Sequence, residues 1–101
     1  MADLKTVAQT AEIEPGSAKV VEANGREIAI FNVEGSFYAI DNVCSHKGGP
    51  LGEGLLEGEV VTCPWHGWRF DVKTGHCLTN PMAKIKLYPL KIENGEIKLT
   101  V

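Results

Sequence analysis

Two Asn-Gly pairs restrict the fold of this chain more than any other local feature. They are Asn24-Gly25 and Asn94-Gly95. A two-residue type I′ turn needs positive φ at both central residues, which Asn and Gly tolerate best, and such turns join antiparallel strands. Each pair therefore predicts a β-hairpin. The strands predicted beside the two turns cover residues 19–22, 27–33, 85–92 and 96–101.

The pattern of apolar residues also favours strands. Ile97, Leu99 and Val101 alternate with polar residues, which predicts that one face of the last strand is buried. Glu34-Gly35-Ser36 predicts a further turn, and Pro15-Gly16 predicts a break before the first strand. No window has a sustained helical period of apolar residues. The predicted fold class is all-β, an antiparallel sandwich or barrel-like framework.

A glycine-rich segment interrupts this β pattern. Seven of the 11 glycines lie between residues 48 and 75. Ordering so much glycine backbone costs conformational entropy, which favours loops that are held around a bound group. A length of 101 residues fits one domain, and no linker or internal repeat divides it. We therefore expect a single domain over residues 1–101, in which about 42–82 form a mostly looped insertion.

Charge and hydropathy argue against several classes of partner. Ten Lys and Arg stand against thirteen Asp and Glu, a net charge of -3, whereas nucleic-acid binders usually carry a basic excess. The best apolar run, residues 28–31, is much shorter than the roughly twenty residues of a membrane span. Residues 1–16 lack the basic start and apolar core of an export signal. We expect a soluble, cytoplasmic protein that binds neither nucleic acid nor membrane.

Cysteine and histidine residues are paired within the glycine-rich segment. Cys44-Ser45-His46 is followed, after sixteen residues, by Cys63-Pro64-Trp65-His66. Without an export signal, an odd number of cysteines favours metal binding over a disulfide framework. Each pair can point both side chains the same way, so two loops could close on one site with four ligands. Separate buried cysteines and histidines are the alternative, which the pairing disfavours.

The ligand types alone leave the metal open. Two thiolates and two imidazoles also suit tetrahedral Zn²⁺. Zinc fingers and ribbons, however, place two Cys in one pair and two His in the other, whereas each pair here mixes one Cys with one His. A structural zinc module that mediates protein contacts is therefore kept as an alternative function.

The order of the two pairs resembles the motif of the Rieske [2Fe-2S] proteins, Cys-x-His followed by a spacer and Cys-x-x-His. The similarity extends over residues 37–41, 46–51, 63–71 and 74–75, and covers the whole chain in outline. It implies a Rieske fold, in which a cluster-binding subdomain is inserted into the β framework. Within the family, the chain looks most like the small ferredoxins of multicomponent oxygenases.

This resemblance implies one [2Fe-2S] cluster per chain. By the same resemblance, Cys44 and Cys63 hold the inner iron, and His46 and His66 hold the outer iron near the surface. Two neutral imidazoles in place of two thiolates make a cluster less negative, so an added electron is accommodated more easily. The implied function is that of a monomeric electron carrier, not an enzyme, which takes one electron from a flavoprotein reductase to a terminal oxygenase.

Departures from the respiratory branch of the family favour a lower reduction potential. Rieske proteins of cytochrome bc complexes have a disulfide at positions that match Gly49 and Trp65, where none can form. They also have Ser and Tyr hydroxyls at positions that match Trp68 and Phe70, neither of which supplies an O–H.

A further alternative is the small subunit of an assimilatory nitrite reductase, a relative that often lacks the ligands present here.

Four other features receive their own interpretations. Cys77 is predicted to be a small core residue, with a reactive thiol as the alternative. His76 is predicted to be a solvated turn residue. Trp65 lies between two predicted ligands and is predicted to contact a partner, with simple packing as the alternative. Asn80-Pro81 matches the third loop that covers the cluster in the family, with an ordinary turn as the alternative.

Overall fold

The described part of the chain consists of strands joined by turns. The computed structural model describes residues 4–23, 25–43, 50–65, 67–80 and 82–100. Over these ranges there is no α-helix, and hence none long and apolar enough to cross a membrane. The strands are β1 Leu4–Gln9, β2 Ala18–Ala23, β3 Arg26–Val33, β4 Ser36–Asp41, β5 Leu55–Glu57, β6 Val60–Thr62, β7 Arg69–Asp71, β8 Leu87–Tyr88, β9 Leu90–Glu93 and β10 Glu96–Thr100. Two short 3-10 helices cover Thr10–Glu12 and Leu51–Glu53. The all-β prediction is confirmed.

The described strands form three sheets, and within each sheet every pair of neighbouring strands is antiparallel. The outer sheet has the order β1-β10-β9, the middle sheet β2-β3-β4-β8 and the small sheet β5-β6-β7. The small sheet is formed by residues within 42–82, which come between β4 and β8 in the chain sequence. An antiparallel framework was predicted, and the sheets confirm it.

The middle sheet contributes to two hydrophobic cores, because its central strand is buried on both faces. In β3, Ile28 and Ile30 pack toward the outer sheet, and Ala29 and Phe31 pack toward the small sheet. Successive side chains on a strand point to opposite faces, so one strand can serve both cores. The small-sheet core consists of Ala29, Phe31, Ile40, Leu51, Val61, Cys63, Phe70, Val72, Cys77 and Ile85. The outer-sheet core consists of Ala8, Ile13, Ala23, Ile28, Ile30, Ala39, Tyr88, Ile97 and Leu99.

Both predicted Asn-Gly hairpins are present. β2 pairs with β3 across residues 24–25, where Gly25 has a φ of 74°, and Asn24 lies outside the described residues. β9 pairs with β10 across Asn94 and Gly95, whose φ values of 51° and 77° are those of a type I′ turn. Turn chemistry that can be read locally therefore places two of the framework hairpins correctly.

The turn between β3 and β4 is one residue shorter than predicted. Glu34 and Gly35 form it, and Ser36 is already the first residue of β4. Glu34 has a φ of 51°, which is unusual for a residue with a side chain. The buried Asn32 holds this conformation, since its Oδ1 accepts the Gly35 N–H at 2.8 Å and its Nδ2 donates to the Ile13 carbonyl at 2.8 Å.

The single strand predicted over residues 85–92 is wrong, because the chain changes sheets at Pro89. β8 pairs with β4 in the middle sheet, and β9 pairs with β10 in the outer sheet. Proline has no N–H to donate to a strand ladder, so it is suited to such a junction. The predicted buried face of the last strand is confirmed by Ile97 and Leu99, and Val101 lies outside the described residues.

The sequence patterns miss β1. Residues 4–9 pair with β10 at the far end of the chain, although the first strand was predicted to begin at residue 19. No local turn connects the two strands, so the hairpin signals give no sign of their pairing. Their pairing gives the outer sheet its third strand.

Residues 42–82 are less irregular than predicted. They contain the short helix Leu51–Glu53 and all of the small sheet. Two glycines here are explained by close backbone packing rather than by a bound group: a Cβ on Gly54 would overlap the Thr62 carbonyl oxygen, and a Cβ on Gly75 would lie 2.5 Å from the Ile85 carbonyl oxygen. These glycines allow neighbouring segments to approach one another.

Candidate metal centre

Cys63 is the one predicted ligand that lies in the described residues. Cys44, His46 and His66 lie outside them. Cys63 follows β6 directly and is only 1% exposed, within the small-sheet core. A thiol in this position is shielded from water on the protein side. The described residues therefore contain no pair of predicted ligands. They place Cys63 within the small-sheet core.

A tight loop follows Cys63. The Cys63 N–H donates to the Trp68 carbonyl at 2.7 Å, which extends the β6–β7 ladder by one step beyond the strands. Gly67, with a φ of 73°, lies in the turn that this hydrogen bond closes. Trp65, at the other end of the turn, is 50% exposed. Over two residues, the chain passes from a buried thiol to an exposed indole.

Contacts between described residues fix the chain on either side of the segment that carries Cys44 and His46. Val43 and Pro50 form an isolated β-bridge on either side of it. Asn42, which is 3% exposed, accepts the Leu51 N–H on its carbonyl at 2.7 Å and the Gly52 N–H on its Oδ1 at 2.7 Å. Residues 42–43 and 50–52, which flank the 44–49 segment, are thus tied together.

Asn42 is also anchored to the middle sheet. Its backbone N–H donates to the Glu27 carbonyl at 3.0 Å, and its Nδ2 donates to Glu27 Oε1 at 3.0 Å. The sequence analysis missed this residue. The available signal was an amide side chain at the end of a buried strand, two positions before Cys44.

Cys77 has a structural position in the loop after the small sheet. It is 4% exposed in the small-sheet core and forms no disulfide with another described residue. Its Sγ accepts the Asn80 N–H at 3.3 Å, and its N–H donates to the Ala83 carbonyl at 3.3 Å. These contacts confirm the core interpretation. They also organise the predicted third loop around Asn80, while Pro81 lies outside the described residues.

Three other predicted positions can be compared with the structure. His76 is exposed, as predicted, although its backbone forms an isolated bridge with Lys84 rather than lying in a simple turn. Phe70 is fully buried in the small-sheet core that also contains Cys63. Trp68 is partly buried and packs against the same core.

Four exposed apolar side chains belong to residues that adjoin the predicted ligand loops in sequence or lie in the third loop. We call them the apolar rim: Val43, Trp65, Leu78 and Met82 are 47%, 50%, 51% and 90% exposed. Val43 precedes the 44–49 segment, Trp65 precedes His66, and the other two belong to the third loop. That loop is joined to β7, since Arg69 donates its N–H to Thr79 Oγ1 at 3.0 Å. Exposed apolar residues in such a group are typical of interaction surfaces.

An ion pair connects the turn between β5 and β6 to the residues that follow β7. Lys73 Nζ lies 3.3 Å from Glu59 Oε2, and the hydrogen bond to Glu59 raises the pKa of Lys73. The Val72 N–H donates to the Glu59 carbonyl at 2.8 Å. The turn between β5 and β6 is therefore tied to the residues that follow β7. This helps to hold the small sheet, and with it Cys63, as one unit.

A match to a known family decides the identity of this region. The Rieske [2Fe-2S] domain model matches residues 3–89. The chain belongs to the Rieske [2Fe-2S] family. The matched range includes the β framework up to β8 together with all four predicted ligands, so the resemblance found in the sequence is confirmed at the level of the family.

Individual relatives of this Rieske domain are ferredoxins. The ferredoxin component of naphthalene 1,2-dioxygenase/salicylate 5-hydroxylase systems from Ralstonia sp. is 47% identical over 89 residues, which is 87% of this chain and 86% of the relative. The Sphingomonas yanoikuyae B1 ferredoxin has a similar structure, with a TM-score of 0.90, 31% identity, and coverage of 98% of this chain and 99% of that chain. The chain matched in a complex of oxygenase and ferredoxin of carbazole 1,9a-dioxygenase has a TM-score of 0.90 at 28% identity, covering 96% of this chain and 92% of that chain.

The alternative of a nitrite reductase small subunit gains less support. A small subunit of this kind from Mycobacterium tuberculosis has a TM-score of 0.90 but only 24% identity, with coverage of 100% of this chain and 96% of that chain. A likeness at this identity shows a shared fold and nothing more specific.

A Rieske-type [2Fe-2S] cluster is the cofactor of this Rieske domain. The described residues fit such a group, because Cys63 places a thiol in a buried apolar core, at the start of a turn that the Cys63–Trp68 backbone hydrogen bond fixes. Within the described ranges, no group of three or more His, Cys, Asp or Glu side chains could hold a metal ion elsewhere.

Proposed function

We propose that this Rieske domain is the ferredoxin component of an aromatic-ring oxygenase system, with Cys44, His46, Cys63 and His66 as the ligands of its cluster. One observation supports this most directly: exposure rises from 1% at Cys63 to 50% at Trp65, two residues later. A carrier needs such a gradient, because it must shield the metal site on the protein side and present it to a partner on the other.

The roles of the residues follow from this gradient. The bound cluster supplies one-electron uptake and release at a potential that its ligands and surroundings set. The small-sheet core excludes water from the cysteine side. The Cys63–Trp68 backbone hydrogen bond holds the second ligand loop, and the Val43–Pro50 bridge holds the first. The chain therefore needs no substrate pocket and no proton-transfer group of its own.

The proposed partners are a flavoprotein reductase as electron donor and a terminal oxygenase as electron acceptor. The apolar rim gives both of them a surface beside the ligands. The net charge of -3 favours faster association with a basic docking face, whereas contacts at the rim contribute more to affinity. We propose that the protein acts as a monomer in the cytoplasm, since transient exchange with two partners at one surface requires the rim to be accessible.

Reconstitution tests the proposed function. Purified protein should contain about two irons and two sulfides per chain and show a Rieske-type electron paramagnetic resonance (EPR) signal after reduction with dithionite. Added to a reductase and an aromatic-ring dioxygenase that lack their own ferredoxin, it should restore oxygenation. A colourless protein with one bound zinc would exclude the proposal, and a cluster-containing protein that supports no oxygenase of this class would exclude the partner assignment.

Two cysteine variants test the ligand set. Cys63→Ser should abolish the cluster, because it removes a thiolate ligand. Cys77→Ala is the matched control, since Cys77 is also buried in the same core and, among the described residues, its Sγ accepts the Asn80 N–H. It should keep the full iron content and lose about 1 kcal/mol of folding stability. Loss of the cluster in Cys77→Ala, or its retention in Cys63→Ser, would overturn the ligand assignment.

A further inference from the structure

Asn42 is one of two buried polar residues among the described residues. Its backbone N–H, backbone carbonyl, Oδ1 and Nδ2 each form a hydrogen bond. It accepts from Leu51 and Gly52 and donates twice to Glu27. Its partners belong to two separate elements, β3 and the helix Leu51–Glu53. The residue therefore joins the middle sheet to the chain on both sides of residues 44–49.

We propose that Asn42 is a positioning residue for the cluster: it fixes the described residues on either side of positions 44–49, where the proposed ligands Cys44 and His46 lie in the sequence. The inference rests on the proposed ligand set. Ligands must be held within a fraction of an ångström of the productive geometry, so the residues that flank a ligand-bearing segment need fixed positions. Groups outside the ligand set that orient ligands in this way affect metal retention strongly.

The close packing beside Asn42 leaves no room for a side chain at position 52. A Cβ at position 52 would lie 2.9 Å from Asn42 Oδ1 and would overlap the Val20 side chain. Gly52 thus brings its N–H within 2.7 Å of the amide oxygen because it has no side chain. Glycine and asparagine together make a contact that neither a larger residue at 52 nor an apolar residue at 42 can reproduce.

Asn32 provides an internal control. It is the other buried polar residue, on the same strand that supplies Glu27, and its side chain also makes one donor and one acceptor hydrogen bond to the backbone or a turn. Its bonds support the Glu34-Gly35 turn, which carries no predicted ligand. Loss of either asparagine should cost similar folding stability, but only Asn42 should affect the cluster.

The first experiment compares Asn42→Ala with Asn32→Ala in the cluster-containing protein. Release of iron to an excess of chelator should be about ten- to thirty-fold faster in Asn42→Ala, as expected when two side-chain hydrogen bonds that close the loop are lost. Its EPR signal should broaden, because the ligands sample more than one geometry. In Asn32→Ala, both the release rate and the signal should match those of the wild type, while the unfolding midpoint falls to a similar extent.

A second pair of variants remains informative if Asn42→Ala does not fold. Glu27→Ala removes the acceptor for Asn42 Nδ2, and release should be about five-fold faster. Glu27→Gln keeps an oxygen at the same position and should restore the wild-type rate and signal. This rescue separates the hydrogen bond from the charge of Glu27.

The outcomes distinguish this inference from the proposed function. A wild-type protein without a Rieske-type EPR signal would contradict the proposed function itself. A normal wild-type signal, with equal release rates in Asn42→Ala and Asn32→Ala, would overturn the role of Asn42. Equal release from Glu27→Ala and Glu27→Gln would show that the side-chain bond to Glu27 holds nothing in place, and would also count against it.

Discussion

Phe70 lies directly opposite Val61 across the β6–β7 ladder, on the face of the small sheet that also buries Cys63. Directly paired residues of an antiparallel ladder point to the same face, and Cys63 follows Val61 by two positions on that face. The ring of Phe70 therefore shares one core with the thiol of Cys63, a proposed ligand, and it brings no hydroxyl into that core.

Phe70→Tyr should raise the reduction potential. A hydrogen bond to a cluster sulfur or ligand thiolate offsets the negative charge that reduction adds. Phe70 supplies no hydroxyl for such a bond, so we expect the wild type toward the low end of roughly -150 to +300 mV. One added bond worth about 1 kcal/mol corresponds to roughly 40 mV upward for a one-electron couple. Protein-film voltammetry measures both midpoints.

The control for this shift is Phe37→Tyr. Phe37 packs against the outer-sheet core, so a hydroxyl there should leave the midpoint unchanged. A wild-type midpoint near the top of the range would contradict the argument from missing hydroxyls. A folded Phe70→Tyr variant with a lower midpoint would show that position 70 does not address the Cys63 sulfur.

Trp65→Ala should slow electron transfer to the oxygenase by about ten-fold, because truncating a central aromatic contact often costs more than 1 kcal/mol at an interface. The optical and EPR spectra should stay as in the wild type. Ile92→Ala is the matched control, since Ile92 is 42% exposed on the outer sheet, away from the apolar rim. Stopped-flow mixing gives both rates, and equal rates would remove Trp65 from the docking surface.

Gly54→Ala should destabilise the protein by about 2–3 kcal/mol, near the upper end for overpacked sites. The added Cβ meets the Thr62 carbonyl oxygen, which belongs to the backbone next to Cys63 and cannot rotate away. Gly58→Asn is the control, because position 58 is open and has a φ of 61°, which asparagine tolerates. Urea unfolding compares the two, and an equal small loss in both would refute the close approach at Gly54.

Acidification should weaken the contact between the helix Thr10–Glu12 and β2. The hydrogen bond from Lys19, followed by that from the Gln9 N–H, lowers the pKa of Glu12 below its ordinary value of 4.5. Because the pKa is lower in the folded state, this stabilisation is present above 4.5 and is lost as the pH falls through the folded value. The effect is small, since the pair is exposed.

Thermal unfolding of Glu12→Gln, measured as the pH is lowered from above 4.5, checks the direction of this change in stability. The variant should lose less stability on acidification than the wild type. Glu14→Gln, which removes an exposed carboxylate that forms no ion pair within the described residues, should behave like the wild type. The same pH dependence in all three proteins would contradict the assignment.

Local chemistry made part of this structure predictable. The turn at Asn94-Gly95 and the buried face with Ile97 and Leu99 depend on residues that are neighbours in sequence, so their patterns are visible there. The Rieske motif is equally local, and the family match confirms the family that it indicated. The ligand roles of Cys44, His46, Cys63 and His66 stay predictions, because the first, second and fourth lie outside the described ranges and the structure gives only the position and burial of Cys63.

Features that depend on distant contacts were not predictable. β1 is defined only by its partner β10, and the change of sheets at Pro89 depends on which strands are available on each side. The role of Asn42 was not predictable for the same reason, since its partners Glu27 and Gly52 lie fifteen and ten residues away in the sequence. Three-residue strands such as β5 also carry too few positions to show an alternation.

The two faces of β3 have a consequence for how such a protein can change over evolutionary time. Substitutions in the outer-sheet core share few neighbours with those in the small-sheet core, and distant sites without shared partners act additively. Mutations around Ile97 and Leu99 can therefore adjust robustness to heat, while mutations around Cys63 adjust the electrochemistry. Selection can act on these two traits through largely separate sets of residues.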